Sequence, residues 1–226
     1  WPFRRDPIPR LVAEASSPKA SDDARRRAFN ALCELPPDPR ALDCFVRLAT
    51  GEGVDRMLQA EAIAAINMTP PPLGTRALLQ LLGSDAWGGA ALERLAKPPH
   101  LDAVVGLAAE ALPALEGIVE RMGAWQPDGA SDGYSQVEAL ATRLGGQAAP
   151  VLERVRILGR EHAERQVPEW RKVALTGHDE LLIKRALERL TALGSPAAQA
   201  ALAEFRAAAP RMVRRTVFGG IGATFR

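Results

Sequence analysis

Apolar side chains recur every three or four positions along most of the chain, which is the spacing of one face of an α-helix. The first clear segment runs from Asp22 to Leu35 and ends at Pro36 and Pro37, which lack the amide hydrogen that a continuing helix needs. The same spacing predicts helices over residues 39–49, 54–68, 75–82, 101–112, 114–122, 136–144, 151–165, 178–193 and 197–208. The sequence therefore predicts an all-α fold.

The helical pattern also repeats along the N-terminal part of the chain. Equivalent apolar positions recur with a period of about 34 residues, a length that is typical of solenoid proteins. One helix pair has too little apolar surface to fold alone, so neighbouring pairs must stack. We therefore expect an α-solenoid of stacked antiparallel helix pairs with a concave groove. The aligned pairs are Ala28 and Ala62, Leu32 and Ile66, Phe45 and Leu79, Leu48 and Leu82, Leu58 and Leu92, and Ala62 and Ala96.

Two segments show the repeat unit most clearly: Asp-Asp-Ala-Arg-Arg-Arg-Ala-Phe-Asn-Ala-Leu-Cys-Glu-Leu from Asp22, and the segment from His178 to Leu193. They resemble the bacterial HEAT-like repeat, the group that also includes the repeats of phycobilin lyases. The resemblance covers residues 8–97 and 178–208 and implies a HEAT or armadillo-type superhelix. Tetratricopeptide repeats share the period, but their Trp, Gly-Tyr and Phe pattern is missing.

The expected organisation is one solenoid domain over residues 1–226. Its repeats are weaker over residues 98–177. Residues 126–135 are rich in Gly, Pro, Asp and Ser and predict a loop. Residues 213–226 contain three glycines among scattered apolar residues and predict a non-helical, basic C-terminal tail.

Composition and charge narrow the functional classes. The 29 basic and 27 acidic residues give a net charge of +2, whereas proteins that neutralise many phosphates usually carry a larger excess. Cys33 and Cys44 lie in helical patterns and are expected to be buried free thiols of a cytoplasmic protein. No apolar run approaches the ~20 residues that span a bilayer. Because the chain begins at Trp1 rather than Met, a removed signal peptide or anchor stays open.

Catalytic and metal-binding motifs are missing from the sequence. The three histidines form no HExxH pair, and the two cysteines lack metal-ligand spacing. The glycines at positions 219, 220 and 222 are not followed by the Lys and Ser or Thr of a phosphate-binding loop. We therefore expect no catalytic site, cofactor or metal, and a protein that is not an enzyme.

Tryptophan and arginine are the residue types most enriched at binding hot spots, and several lie at predicted turns, helix ends or basic clusters. The alternative for the tryptophans is that they cover the core between repeats, and for the arginines that they form ordinary solvated faces. The candidate partner-binding residues are Trp87, Trp125, Trp170, Arg171, Arg25, Arg211, Arg214 and Arg215.

Three functional hypotheses follow. The first is a non-catalytic scaffold or adaptor whose concave surface binds another protein. The second is a nucleic-acid-binding protein similar to the HEAT-like DNA glycosylases, which hold the duplex in their groove. The third, a lyase or chaperone for a bilin-type cofactor, rests on the family resemblance alone.

Overall fold

The computed structural model describes the backbone of residues 6–124 and 131–217 and the side chains of residues 6–122 and 133–208. All regular structure in these ranges is helical, which confirms the predicted all-α class. Short 3-10 turns occupy Val104–Leu107 and Gly145–Ala148. The α-helices are α1 (Ile8–Ala15), α2 (Asp22–Cys33), α3 (Pro39–Thr50), α4 (Arg56–Met68), α5 (Leu73–Leu81), α6 (Gly88–Leu95), α7 (His100–Ala103), α8 (Ala108–Ala124), α9 (Ser131–Leu144), α10 (Ala149–Thr176), α11 (Glu180–Leu193) and α12 (Pro196–Val217).

Short polar side chains define where several helices begin. Ser21, Asp38, Asp55 and Asp179 each accept a hydrogen bond from a backbone amide in the first turn of the following helix. Such caps satisfy amide groups that have no partner inside the helix. At its C-terminal end, α11 stops at Gly194 with φ of 63°, a conformation that glycine adopts without a steric penalty.

The chain divides into two compact units, whereas the sequence predicted one domain. Unit 1 comprises residues 1–156 and unit 2 comprises residues 157–226. Unit 1 contains 17 basic and 20 acidic residues, and unit 2 contains 12 basic and 7 acidic residues. The net charge of the whole chain therefore conceals an acidic unit 1 and a basic unit 2.

The helices of unit 1 alternate between two rows. Helix α1 packs on α2 and α3, α3 packs on α4 and α5, and α5 packs on α6 and α8. We call α1, α3, α5 and α8 the first row, and α2, α4, α6 and α9 the second row. Neighbouring backbones approach one another more closely among α1, α3 and α5 than among α2, α4 and α6.

The core of unit 1 follows the repeat seen in the sequence. Of the aligned apolar positions, all are buried except Ala96, which is half-buried. Phe29 and Phe45 meet at the start of this core with ring centroids 5.0 Å apart in an edge-on arrangement. The repeat period therefore marks the positions at which successive helix pairs face each other.

Unit 2 has a smaller core of its own. Its buried members are Val167, Leu190, Ala198 and Ala201. Trp170, Leu193 and Leu202 are partly buried and pack against them. These side chains come from α10, α11 and α12, so all three helices contribute to this core.

The predicted loop over residues 126–135 is wrong for its second half, because α9 begins at Ser131. Tyr134 is buried, and its hydroxyl donates a hydrogen bond to the Met122 carbonyl oxygen 3.4 Å away. A Cβ atom on Gly133 would lie 2.9 Å from the Met122 methyl carbon, so only glycine fits here without a shift. Packing against α8 thus outweighs the local preference of these residues for a turn.

Two helices continue through an internal proline. Pro113 lies inside α8 and Pro168 inside α10, which runs to Thr176 instead of ending near residue 165. A proline removes one backbone hydrogen bond, but buried Val167 and Ala174 on either side of Pro168 favour continuation.

The non-helical tail predicted from residue 213 is also wrong for its first five residues, because α12 continues to Val217. The residues before the glycines carry no helix breaker after Pro210, so nothing local stops the helix there. Residues 218–226 lie outside the described residues.

In the described ranges, no helix combines the length and the apolar character needed to cross a membrane.

Candidate functional site

Side chains from neighbouring elements bind the C-terminal carbonyl groups of four helices in unit 1. Arg25 Nε donates to the Ala15 carbonyl of α1 at 3.3 Å, and Arg94 Nη2 donates to the Asn67 carbonyl of α4 at 3.3 Å. The end of α3 accepts from Trp87, and the Leu82 carbonyl after α5 accepts from Arg121. The last carbonyls of a helix lack partners inside it, and cations are favoured there.

Trp87 therefore has a structural contact that the sequence did not reveal. It precedes α6, is half-buried, and its indole Nε1 donates to the Ala49 carbonyl oxygen at 2.9 Å. This hydrogen bond links the start of α6 to the end of α3, 38 residues earlier. The structure thus uses Trp87 to join two helix pairs.

Arg25 was a candidate partner-binding residue with an ordinary solvated face as the alternative, and the solvated face is wrong. Its side chain is buried with 8 % relative exposure, and its guanidinium also lies 3.8 Å from Asp22. The neighbouring Arg27 is exposed. Arg25 shares a helix face with Ala28, Phe29 and Leu32, so the helix turns it inward against the end of α1.

We expect Arg25→Met to lower the free energy of unfolding by about 2 kcal/mol, because it leaves the buried Ala15 carbonyl without its donor. Arg27→Met is the matched control, since it makes the same change at an exposed position, and should cost less than about 0.5 kcal/mol. Denaturant unfolding of both variants measures the difference. Equal effects of the two substitutions would contradict the capping role.

Trp170 and Arg171 also make contacts within the protein, in unit 2. Trp170 packs against the unit 2 core, and the Arg189 guanidinium lies 5.6 Å from its ring centroid, within the range of a cation–π contact. Arg171 forms two hydrogen bonds with the Glu204 carboxylate, at 2.6 and 2.8 Å. Glu204 holds the Arg171 guanidinium in place, although both side chains are exposed.

The other four candidates lie wholly or partly outside the described residues. Trp125 lies outside the described residues. Arg211, Arg214 and Arg215 belong to the helical backbone of α12, but their side chains lie outside the described residues.

The two cysteines differ in exposure. Cys44 is buried, as predicted, and its Sγ lies 3.3 Å from the Ser16 Oγ. Burial raises the pKa of the Cys44 thiol, which disfavours the reactive thiolate. Cys33 is exposed, so its predicted burial is wrong. It is the last residue of α2 and follows the buried Leu32, which places it on the solvent side of the helix.

The three histidines differ in burial. His100 is buried in unit 1, and its Nδ1 lies 2.9 Å from the Thr75 hydroxyl. Burial, followed by the nearby Arg94 charge, lowers the pKa of His100, so its neutral form is favoured. His162 is half-buried and His178 is exposed, both in unit 2. His178 precedes the Asp179 cap of α11, as the sequence analysis expected of a helix start.

Among the side chains of residues 6–122 and 133–208, no group of three or more His, Cys, Asp or Glu residues could hold a metal ion. A cavity of about 280 Å³ opens beside the start of α6, where Asp85 and Arg121 line it together with Leu82 and Ile118. The Arg121 guanidinium donates a hydrogen bond to the Leu82 carbonyl, and this contact holds it in the wall of the cavity.

No family model, curated protein or solved structure matches this chain.

Polar side chains link the helices of the first row. Arg40 Nη1 on α3 donates to Asp6 Oδ2 before α1 at 2.7 Å, and Gln80 on α5 donates to Asp43 on α3 at 3.4 Å. Arg76 on α5 donates to both carboxylate oxygens of Glu110 on α8, at 2.8 and 3.0 Å. We call these six residues the polar row: Asp6, Arg40, Asp43, Gln80, Arg76 and Glu110.

The polar row is accessible and carries both charges. Arg40 and Glu110 are exposed, and Arg76 has 44 % side-chain exposure. The Ile8 amide and the Arg40 guanidinium together hold the pKa of Asp6 below its usual range, so Asp6 is ionised at neutral pH. The sequence analysis missed the row because its members lie 34 or 37 residues apart, although two of those separations equal the repeat period.

Proposed function

We propose that the protein is a non-catalytic interaction scaffold that binds another protein along the polar row. We further propose that unit 1 is an α-solenoid of HEAT-like repeats. The repeat period of the sequence and the two rows of helices support this arrangement. The closer approach of α1, α3 and α5 supports a curved stack with the first row on its concave side, because helices crowd on the inside of such a stack.

The polar row is the observation that carries this proposal. It presents guanidinium, carboxylate and amide groups of successive first-row helices, on the side that we propose to be concave. A polypeptide offers hydrogen-bond donors and acceptors, and side chains of both signs, so it can match such a mixed surface. The partner we propose is accordingly a protein segment with both basic and acidic side chains.

Nucleic acid suits the same surface less well. Arg40 and Arg76 each form an ion pair with a carboxylate, so a phosphate would have to displace that carboxylate. Unit 1 also contains more acidic than basic residues, which repels a polyanion. The DNA glycosylase-like and bilin lyase alternatives have no supporting contact in this surface.

A charge-swapped pair tests the proposal. The double variant R76E/E110R keeps an ion pair between α5 and α8 but exchanges the positions of its positive and negative charges. We expect it to retain a bound partner at least about tenfold less well than the unaltered protein, because like charges then face each other. The measurement is affinity capture from lysate of the native cells, with and without nuclease treatment, followed by direct titration of the captured protein.

The matched control is R171E/E204R, which swaps the exposed ion pair of unit 2 and should retain the partner. Two results would overturn the proposal. One is a partner that disappears on nuclease treatment, which favours nucleic acid. The other is a partner that R76E/E110R retains as well as the control does.

A further inference from the structure

Helix α4 of the second row carries an apolar stripe on the side that faces away from the core. Met57 is 60 % exposed and Met68 is 85 % exposed, and between them Ala60 and Ala64 are also exposed. Steps of three, four and four residues place these side chains on one helix face. Leu58 and Ile66 on the opposite face are buried, so the stripe takes no part in the core.

The equivalent face of α2 shows that the repeat does not require an apolar stripe. One repeat period earlier in the chain, Asp23 corresponds to Met57, Asn30 to Ala64 and Glu34 to Met68. Asp23 and Asn30 of α2 and Glu34, which directly follows it, are exposed and polar, as is usual for the solvent face of a helix. The apolar side chains are therefore particular to α4, and the architecture gives no reason for them.

The size of the stripe limits what can cover it. From Met57 to Met68 the helix rises about 16 Å, and one helix is about 10 Å wide. This footprint is on the order of 160 Å², whereas a stable complex of two folded proteins buries about 800 Å² on each partner. The stripe matches a single short segment, and it is too small for a dimer of this chain.

We propose that the α4 stripe binds an amphipathic helix of a partner protein, with an apolar stripe of its own and carboxylates beside it. Ala60 and Ala64 form a low centre that lets a second helix approach closely, since the distance between packed helices depends on the side chains at the contact. Met57 and Met68 lie at either end, and their flexible side chains adapt to different apolar partners.

Charge determines the flanks of this partner helix. Arg56 precedes Met57, and Arg27 lies on the neighbouring helix α2; both are exposed. Neither forms an ion pair with any residue in the described part of the chain, whereas nearby Arg26 is bonded to Asp55 at 3.0 Å. The Arg56 guanidinium, next to Met57 at one end of the stripe, favours a helix with acidic residues along its edge.

The test uses a labelled peptide of about 14 residues, long enough to cover the stripe. Its leucines are spaced three and four residues apart, with glutamates on both sides. The full chain carries ¹³C-labelled methionine methyl groups. We expect saturable shifts of the Met57 and Met68 resonances, with a Kd on the order of 10–100 μM, while the Met122 resonance stays in place because Met122 is buried.

The variant M57E/M68E should bind this peptide at least about tenfold more weakly. D23K/E34K is the matched control, because it changes the equivalent positions of α2 and leaves the stripe intact. Binding of a scrambled peptide of the same composition, or no shift with either peptide, would overturn the proposal. A dimer in sedimentation that M57E/M68E abolishes would overturn it in favour of a second copy. Because R76E/E110R leaves the stripe unchanged, this test is independent of the polar row.

Discussion

Replacement of Trp87 by alanine is expected to lower the free energy of unfolding by about 3 kcal/mol. The indole is half-buried at the start of α6, and its Nε1 donates to the Ala49 carbonyl at the end of α3. The substitution therefore removes both the packing of a large side chain and the donor of that carbonyl. Denaturant unfolding followed by circular dichroism measures the change without relying on tryptophan fluorescence.

Trp87→Phe separates these two contributions. It keeps an aromatic ring but cannot donate the hydrogen bond, so the expected loss is about 1 kcal/mol. If Trp87→Ala changes stability by less than about 0.5 kcal/mol, the indole does not hold α3 and α6 together. Trp87 would then return as a candidate for partner binding, as its residue type suggested.

The buried positions of unit 1 could be predicted because they depend on local periodicity. Ala28, Leu32 and their partners one repeat period later fall on one helix face in the sequence and are buried in the structure. The same logic could have placed Arg25, which precedes Ala28 and Phe29 by three and four residues. Its place in a run of three arginines concealed it, because such a run usually indicates a solvated face.

Other features depend on contacts between distant parts of the chain, and the local pattern does not predict them. Nothing near Trp87 points to Ala49, and nothing near Arg76 points to Glu110 except their separation by one repeat period. The helical start of α9 likewise depends on the fit of Gly133 and Tyr134 against Met122. Tertiary packing decides these cases against the local signal.

The α4 stripe shows a different limit of the pattern. The sequence counts Met57 with Leu58 and Ile66 as apolar positions of one helix, yet Met57 is exposed and the other two are buried. A pattern that considers only spacings of three or four residues does not distinguish an apolar residue on the solvent face of a helix from one on the core face. Comparison with α2 one period earlier separates them, because Asp23 occupies the equivalent position.

The stability of unit 1 is expected to fall as the pH decreases from about 7.5 to about 5.5, through the pKa of about 6.5 of an unperturbed histidine. His100 is 1 % exposed, and burial together with the Arg94 charge lowers its pKa in the folded protein. Below the unfolded pKa, the unfolded chain therefore binds a proton that the folded chain excludes. The contribution of His100 to the free energy of unfolding is complete above that pKa. Below it, the contribution decreases by at most about 1.4 kcal/mol for each pH unit.

Two other sets of groups must be separated from His100. Burial, and to a lesser extent Arg165, lower the pKa of His162, which acts in the same direction from unit 2. The carboxyl groups of Asp6, Glu93 and Glu204 also have lowered pKa values, but they lose their contribution only below about pH 4.5. Among the described groups with lowered pKa values, the chosen pH range therefore reports on the histidines.

His100→Gln keeps a hydrogen-bonding side chain beside Thr75 and cannot titrate, so it should remove most of the pH dependence. His162→Gln is the matched control and should leave most of the pH dependence of stability in place. His100→Ala, which also opens a cavity in the core, should lower the free energy of unfolding by about 3 kcal/mol at neutral pH. A pH dependence that survives His100→Gln and disappears with His162→Gln would show that His100 is protonated as readily in the folded protein as in the unfolded chain.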